Sequence, residues 1–316
     1  MKHFLHETDF TAEEITEIFN NAFQFKKYRR QRPSEDLAGE SWGMLFYKKS
    51  TRTRVSFEVG IRELGGHSVT LNQENIQIGR GESIKDTIKV LSRFLDGIIL
   101  RTHGHEIIHE FAENSDVPVV NALSDFLHPC QIYADCMTIL EKTGNSQNPF
   151  VDLRGIKLAF LGDTSCNMAN SWILAGSLMG MEISLGGPEE FHPSEKINEF
   201  CEKNGLRKSW SFFHDAAEAV KNADVVYTDV WVSMGCEEET ENRLIQMKPF
   251  RVDQSILSQA KKDALFMHCM PTHSGEEVSQ EVLNSPQAIL YDQAENRLHM
   301  QKAILVKLAN QKVRTI

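Results

Sequence analysis

SWGMLFYKKSTRTRVSF, residues 41–57, changes its period halfway along. SWGMLFY (41–47) is an apolar run of strand length. From Ser50 onward Val55 and Val59 fall on one row of a helix and Phe57, Ile61 and Leu64 on another, and Gly65-Gly66 close it as C-cap residues. A strand that feeds directly into a helix is the repeating unit of a parallel sheet covered by helices. The joint also carries Arg52 and Arg54 in the first helical turn, where the helix dipole disfavours cations by roughly 0.3–1 kcal/mol each. Ser50 is placed to cap, the amides of 51–53 point outward, Thr51 and Thr53 add hydroxyls, and Arg52 adds a bidentate fork. An anion held at that helix start would reverse the electrostatic penalty.

Outward from this joint the alternation persists. Thr11 and Glu14 form a capping-box pattern before Ile15, Ile18, Phe19, Ala22 and Phe23 at helical spacing. SIKDTIKVLSRFL (83–95) aligns Ile84, Ile88, Leu91 and Leu95 on one face. DGIILRT (96–102) and VPVVNAL (117–123) read as strands, and Pro129 opens a helix that runs to Gly144. GNSQNPFVDLRG (144–155) is rich in turn formers and marks a break between domains. Beyond it, strands are predicted at 157–163, 181–187, 223–229, 264–270 and 288–292. A last helix is predicted over about 293–311, with Leu298, Ile304, Leu305 and Leu308. The predicted fold is α/β: two doubly wound parallel-sheet domains with an interdomain active-site cleft.

The chain has 316 residues, enough for two domains with sizeable cores, and a formal charge of −10. That charge argues against a nucleic-acid partner, so any anionic ligand needs a local basic pocket. The six cysteines form no C-x-x-C pair and read as reduced thiols of a cytoplasmic protein. MKHFLHETDF does not resemble a secretory signal, and the apolar runs are too short to span a bilayer, so no membrane association is expected.

Ligands of open α/β sheets bind outside the carboxyl ends of the strands. The polar residues predicted there are Ser50 to Arg54, Arg101, then His128 and Gln131; in the second half they are Asp163 to Asn167, Asp229 to Met234, and His268-Cys269. LGDTSCN (161–167) stands where a dinucleotide fold would carry G-x-G-x-x-G and keeps only Gly162, which disfavours a nicotinamide cofactor. His268 and Cys269 are neighbours on a strand and point to opposite faces, so Cys269 reads as a polar lining group, not a nucleophile paired with His268. RTHGHEIIHE (101–110) offers His105 and His109 at i, i+4 without further ligands nearby, and reads as a solvated helix instead of a metal site.

STRTR (50–54), HPCQ (128–131), DVWVSMG (229–235), HCMP (268–271) and ENRLHMQK (295–302) together resemble the aspartate/ornithine carbamoyltransferases, in order and spacing over essentially the whole chain. The SMG and HC-x-P pair is that of the ornithine branch. The resemblance implies a homotrimer that uses no cofactor and no metal, with carbamoyl phosphate on a domain of residues 1–143 and L-ornithine on a domain of 150–293. The C-terminal helix, about 294–316, is expected to pack back on the first domain. Carried over residue by residue, Ser50, Thr51, Arg52 and Thr53 hold the phosphate, and Arg101 and His128 contact the carbamoyl oxygen. Gln131 meets the carbamoyl amide; Gln77, in NIQIGRGES, and Arg297 are further carbamoyl phosphate contacts. Asn167, Asp229, Ser233 and Met234 hold ornithine, and Cys269 and Met270 lie along its side-chain amine and the carbamoyl group. Arg101, His128, Asp229 and Cys269 are the catalytic set, and the loop with Gly235 is the mobile lid. Two departures stand out: Met270 for the usual leucine, a volume-conserving change, and Ser274 for a usual arginine. A carbamoyltransferase for another amine, such as putrescine or an acylated ornithine, and a non-catalytic homologue are the competing readings.

Overall fold

A computed structural model of the chain describes residues 2–31, 34–47, 50–72, 82–144, 147–232 and 240–311. Gln77, Ser233, Met234 and Gly235 lie outside the described residues, and with them the expected lid. The chain divides into two units: Met1–Lys142 with Gln147–Pro149 and Glu295–Ile316, and Thr143–Ser146 with Phe150–Ala294.

The first unit is built on a parallel sheet of β1 (Ser41–Phe46), β2 (His67–Asn72), β3 (Gly97–Arg101) and β4 (Val119–Leu123), in the order β2-β1-β3-β4. The strand order reverses between β1 and β3, which pair from Trp42↔Gly97 to Phe46↔Arg101. The chain leaving β1 enters the helix Arg52–Glu63, and Arg101 ends β3 beside it. One core cluster gathers Leu45, Ile88, Ile98, Leu100, Ile108, Phe111 and Val119. The Thr11–Glu14 capping box is complete in both directions.

The second unit carries β5 (Lys157–Leu161), β6 (Glu182–Gly186), β7 (Trp210–Phe213), β8 (Val225–Thr228) and β9 (Leu265–His268), all parallel, in the order β7-β6-β5-β8-β9. Here the order reverses between β5 and β8. The core joins Leu161, Val226, Phe266, Phe250, Val252 and Val282.

The sequence misses β2 and β7, and both are edge strands. Residues 67–72 alternate between half-buried and exposed, so they lack the continuous apolar run of a strand buried on both faces. The strand predicted at 288–292 is not formed. Ala288 makes one isolated bridge to Phe266, and a helix starts at Leu290 and runs to Asn310. The segment 105–114 is helical but not solvated, because His105, Ile108 and Phe111 are buried and His105 Nδ1 lies 2.8 Å from Ser124 Oγ. Val55 is 53% exposed and falls outside the core.

From Glu295 on, the helix Leu290–Asn310 belongs to the first unit. Leu298, Ala303, Ile304, Leu305 and Leu308 are buried, Asn296 Nδ2 donates to Thr138 Oγ1 at 3.0 Å, and Lys302 Nζ donates to Glu63 Oε2 at 3.0 Å. Gly60 permits the approach: a Cβ there would stand 3.2 Å from Lys302 Cγ and 3.4 Å from Leu298 Cδ1. Overpacking such a contact costs about 1–3 kcal/mol, more than the roughly 1 kcal/mol that helix propensity returns on replacing a glycine. Gly60→Leu is therefore expected to lower stability in a urea titration, and an unchanged midpoint would show that this helix pair is not tightly packed.

Candidate active site

The first unit gathers its polar residues around one hydroxyl. Thr53 sits in the first turn of the helix Arg52–Glu63 and is 1% exposed. Its Oγ1 accepts a hydrogen bond from Arg297 Nη2 at 2.5 Å and another from Arg101 Nη1 at 3.3 Å. Both arginines are at most 8% exposed. Two guanidinium groups thus meet at the start of a helix, in a chain whose net charge is −10. Their charges, added to burial as the leading cause, push the His128 pKa well below the usual histidine range, so at neutral pH the ring is uncharged and can donate one N–H. Pro129 opens the helix Pro129–Thr143, and Gln131 lies in its first turn, buried.

The helix start departs from expectation in one respect. Its N-cap is Thr51, not Ser50, and the Thr51 side chain makes no capping hydrogen bond. Ser50 and Arg52 are half-buried and Thr51 is exposed. First-turn amides that a cap does not saturate suit an external anion. Arg54 points elsewhere, to a surface pair with Glu58 at 3.8 Å.

The second unit gathers its own set at the ends of β5, β8 and β9. Asp229 follows β8. Its Oδ1 accepts from the Val230 amide at 2.8 Å and from the Cys269 thiol at 3.0 Å. Burial raises the Asp229 pKa, against the opposing pull of His268 and of the thiol. His268 Nδ1 accepts from the Met270 amide at 2.8 Å, which leaves the ring proton on Nε2, 3.3 Å from Glu277 Oε1; neither side chain is exposed. Cys269 lies past the end of β9, so the expected opposite-face separation from His268 does not apply, and the thiol bonds to Asp229 instead of the ring. The ligating atoms of Asp229, His268 and Cys269 nonetheless lie within 4.8 Å of one another, as do those of His273, Glu276 and Glu277. Those are the groups of the described residues that could meet a metal ion. Asn167 begins the helix Asn167–Met179, half-buried, and Met270 has a left-handed backbone at φ 61°.

Local pattern could not have found three residues. Asp163, at the end of β5, pairs at 2.8 Å with Arg243 of the helix Thr240–Met247, and that guanidinium also stacks 4.8 Å from the Phe191 ring. Glu277 and Gln293 support His268; Gln293 Oε1 accepts from the His268 amide at 3.0 Å and its Nε2 donates to Tyr227 Oη at 3.0 Å. Each partner lies far along the chain or inside a motif read for another residue.

Comparison with known proteins covers both units. The family model described as aspartate/ornithine carbamoyltransferase, carbamoyl-P binding domain, matches residues 2–141, and the one described as its Asp/Orn binding domain matches 154–308. The ornithine carbamoyltransferase of Methanoculleus marisnigri is 47% identical over 308 residues, covering 97% of this chain and 96% of that protein. The anabolic ornithine carbamoyltransferase of Pyrococcus furiosus is 46% identical, covering 94% and 93%. The solved ornithine carbamoyltransferase of P. furiosus superposes with a TM-score of 0.90 at 43% identity, covering 98% and 97%. The solved anabolic enzyme of Campylobacter jejuni gives 0.88 at 40% identity, covering 98% and 100%.

Two outcomes follow from the geometry. Arg243→Ala leaves Asp163 without its ion-pair partner in a largely buried place and is expected to cost about 3–5 kcal/mol, read by urea unfolding; a loss under 1 kcal/mol would make the pair a bystander. A histidine whose folded pKa is depressed contributes stability that is present above its unfolded value, near 6.5, and lost as pH falls below it, because the unfolded ring takes up a proton that the folded ring refuses. His128→Asn removes that contribution. Its stability is expected to fall less steeply between pH 7 and pH 5 than that of the native chain, and parallel profiles would contradict the assignment.

Proposed function

The chain belongs to the aspartate/ornithine carbamoyltransferase family, and we propose that it performs the reaction of the ornithine branch. It transfers the carbamoyl group of carbamoyl phosphate to the side-chain amine of L-ornithine, giving L-citrulline and phosphate. One observation carries this reading beyond family likeness: two buried arginines share the Thr53 hydroxyl at a helix start, with a neutral imidazole beside them. That constellation suits a phosphate joined to a carbonyl.

In this reading the first unit holds the donor. The amides at the helix start, with Ser50, Thr51, Arg52 and the Thr53 hydroxyl, take the phosphate, joined by Arg297 and by Gln77 as the resemblance has it. Arg101 and the N–H of neutral His128 face the carbamoyl oxygen, and Gln131 faces its amide. The second unit holds the acceptor through Asn167 and Asp229, with Ser233 and Met234 assigned by their motif, and Cys269 and Met270 lie along the reacting amine.

The chemistry assigns each group a task. The amine of ornithine must enter as the free base, its ammonium proton given up to solvent, before its lone pair can attack the carbonyl carbon, and the second proton it loses as the C–N bond forms leaves with the departing phosphate. Asp229, bonded to the Cys269 thiol, orients and neutralises the ammonium form. As the C–N bond forms, negative charge moves to the carbonyl oxygen, where Arg101 and His128 donate, and then to the departing phosphate, where Arg52, Arg297 and Thr53 donate. Preorganised donors of this kind need no reorganisation as charge develops, and holding two small substrates in place supplies a further large share of the rate.

Among the described residues no helix is long and apolar enough to cross a membrane. We place the enzyme in the cytoplasm, as a homotrimer serving arginine biosynthesis. The anabolic designation of the P. furiosus and C. jejuni relatives supports the biosynthetic role, the free thiols buried at Cys130 and Cys136 suit a reducing compartment, and the trimer is what the family resemblance implies.

Incubation with carbamoyl phosphate and ornithine, putrescine or N-acetylornithine in turn is expected to give citrulline from ornithine and little product from the others. No citrulline would overturn the reading. Arg52→Ala removes a charge-assisted contact of about 1.5–3 kcal/mol, so the KM for carbamoyl phosphate is expected to rise by roughly ten- to a hundredfold. An unchanged KM would remove Arg52 from the phosphate site.

A further inference from the structure

Gln131 and Asp135 lie one turn apart on the buried helix Pro129–Thr143, at 1% and 0% exposure. Gln131 Nε2 donates to Asp135 Oδ1 at 2.8 Å. The amide NH2 is the donor and the carboxylate oxygen the acceptor. The carboxylate therefore holds the NH2 end of the Gln131 amide and turns its carbonyl oxygen the other way. That oxygen, Oε1, is itself buried and has no hydrogen-bond partner among the described residues. A buried acceptor left so costs about 1–3 kcal/mol until a donor reaches it. Turned over, the amide would present NH2 where it now presents oxygen.

We propose that Asp135 is a positioning residue that sets Gln131 to accept a hydrogen bond from the amide nitrogen of the carbamoyl group, so that the donor subsite selects an acyl phosphate bearing –NH2 over one bearing –CH3. The inference rests on the assignment of Gln131 to the donor half of the site and adds to it a cause for donor specificity. Arginines, threonine and helix amides recognise phosphate and carbonyl, which acetyl phosphate shares with carbamoyl phosphate. The oriented amide oxygen is the group that tells them apart, since a site built to bond an N–H is left unsatisfied by the analogue that lacks it.

Acetyl phosphate, assayed as a competitive inhibitor, is the probe. The readout is the ratio of its Ki to the KM for carbamoyl phosphate, which a purely structural role would not move because both ligands would weaken together. In Asp135→Asn the new amide can donate as well as accept, so Gln131 is free to turn. The KM for carbamoyl phosphate is expected to rise about tenfold, as for loss of one buried hydrogen bond, with the Ki of acetyl phosphate little changed and the ratio falling accordingly. Asp135→Glu keeps the carboxylate and is expected to hold the ratio closer to native. Should Asp135→Asn fail to fold, Asp135→Ser carries the same comparison. A native ratio in the folded Asp135 variant, with a reduced ratio in Gln131→Ala, overturns the positioning role and leaves Gln131 in the site. A native ratio in Gln131→Ala as well overturns the assignment of Gln131 itself.

Discussion

One hydroxyl shared by two guanidinium groups organises the first unit. Thr53 and Arg297 are 244 residues apart in sequence, and their bond fixes where the C-terminal helix must lie against the helix that follows β1. The contact at Gly60, the Lys302–Glu63 ion pair and the Asn296–Thr138 bond all serve that placement. Bringing two cations out of water toward one another is costly. The arrangement is sustained by packing around it, and in the proposed reading a bound dianion would make it favourable in its own right. Stability and affinity are thus coupled: a ligand that binds the folded form alone stabilises it in proportion to its concentration.

Much of this architecture can be read from sequence where the signal is local. The strand at 41–46, the capping box at Thr11 and the proline opening at Pro129 are short-range features and form as read, whereas the helix after that strand is capped at Thr51 instead of Ser50. What fails is set by neighbours in space. β2 and β7 escape notice because β2 alternates half-buried and exposed residues and β7 is four residues long with one of them buried, whereas the edge strands β4 and β9 keep apolar runs and are legible. AILYD has the composition of a strand and meets Phe266 once, but Leu290 already faces the core of its unit as the first residue of a helix. His105 reads as solvated from its polar neighbours and is buried because Ser124 waits for it on another loop. The site divides in the same way. Motif residues such as Arg101, His128 and Asp229 announce themselves by type and order. Asp135, Glu277, Gln293 and Arg243 do not, because each acts through a partner that only the fold supplies.

The two units treat polarity differently. In the donor half, positive charge is concentrated and the imidazole is kept neutral, so donors stand ready for oxygen atoms. In the acceptor half stands a cluster of acceptors and weak donors, Asp229 paired with the Cys269 thiol and His268 with Glu277. Its buried members fix the ring tautomer, and the ring in turn anchors the Met270 amide. Substituting a member of such a network leaves the rest unsatisfied, so its parts are expected to be strongly non-additive.

The membership of the C-terminal segment bears on how the protein is made. Domains generally close in order of synthesis, from the N-terminus onward. Here residues 143–294 contain the whole of the second unit, whereas the first lacks part of its core and Arg297 until the residues from Glu295 on have been made. At about 5–20 residues per second, the N-terminal unit waits on the order of ten to thirty seconds for its own last helix. A chain cut before Glu295 would keep the motifs at 50–54, 128–131, 229–235 and 268–271 and still take from the first unit a packed helix and Arg297.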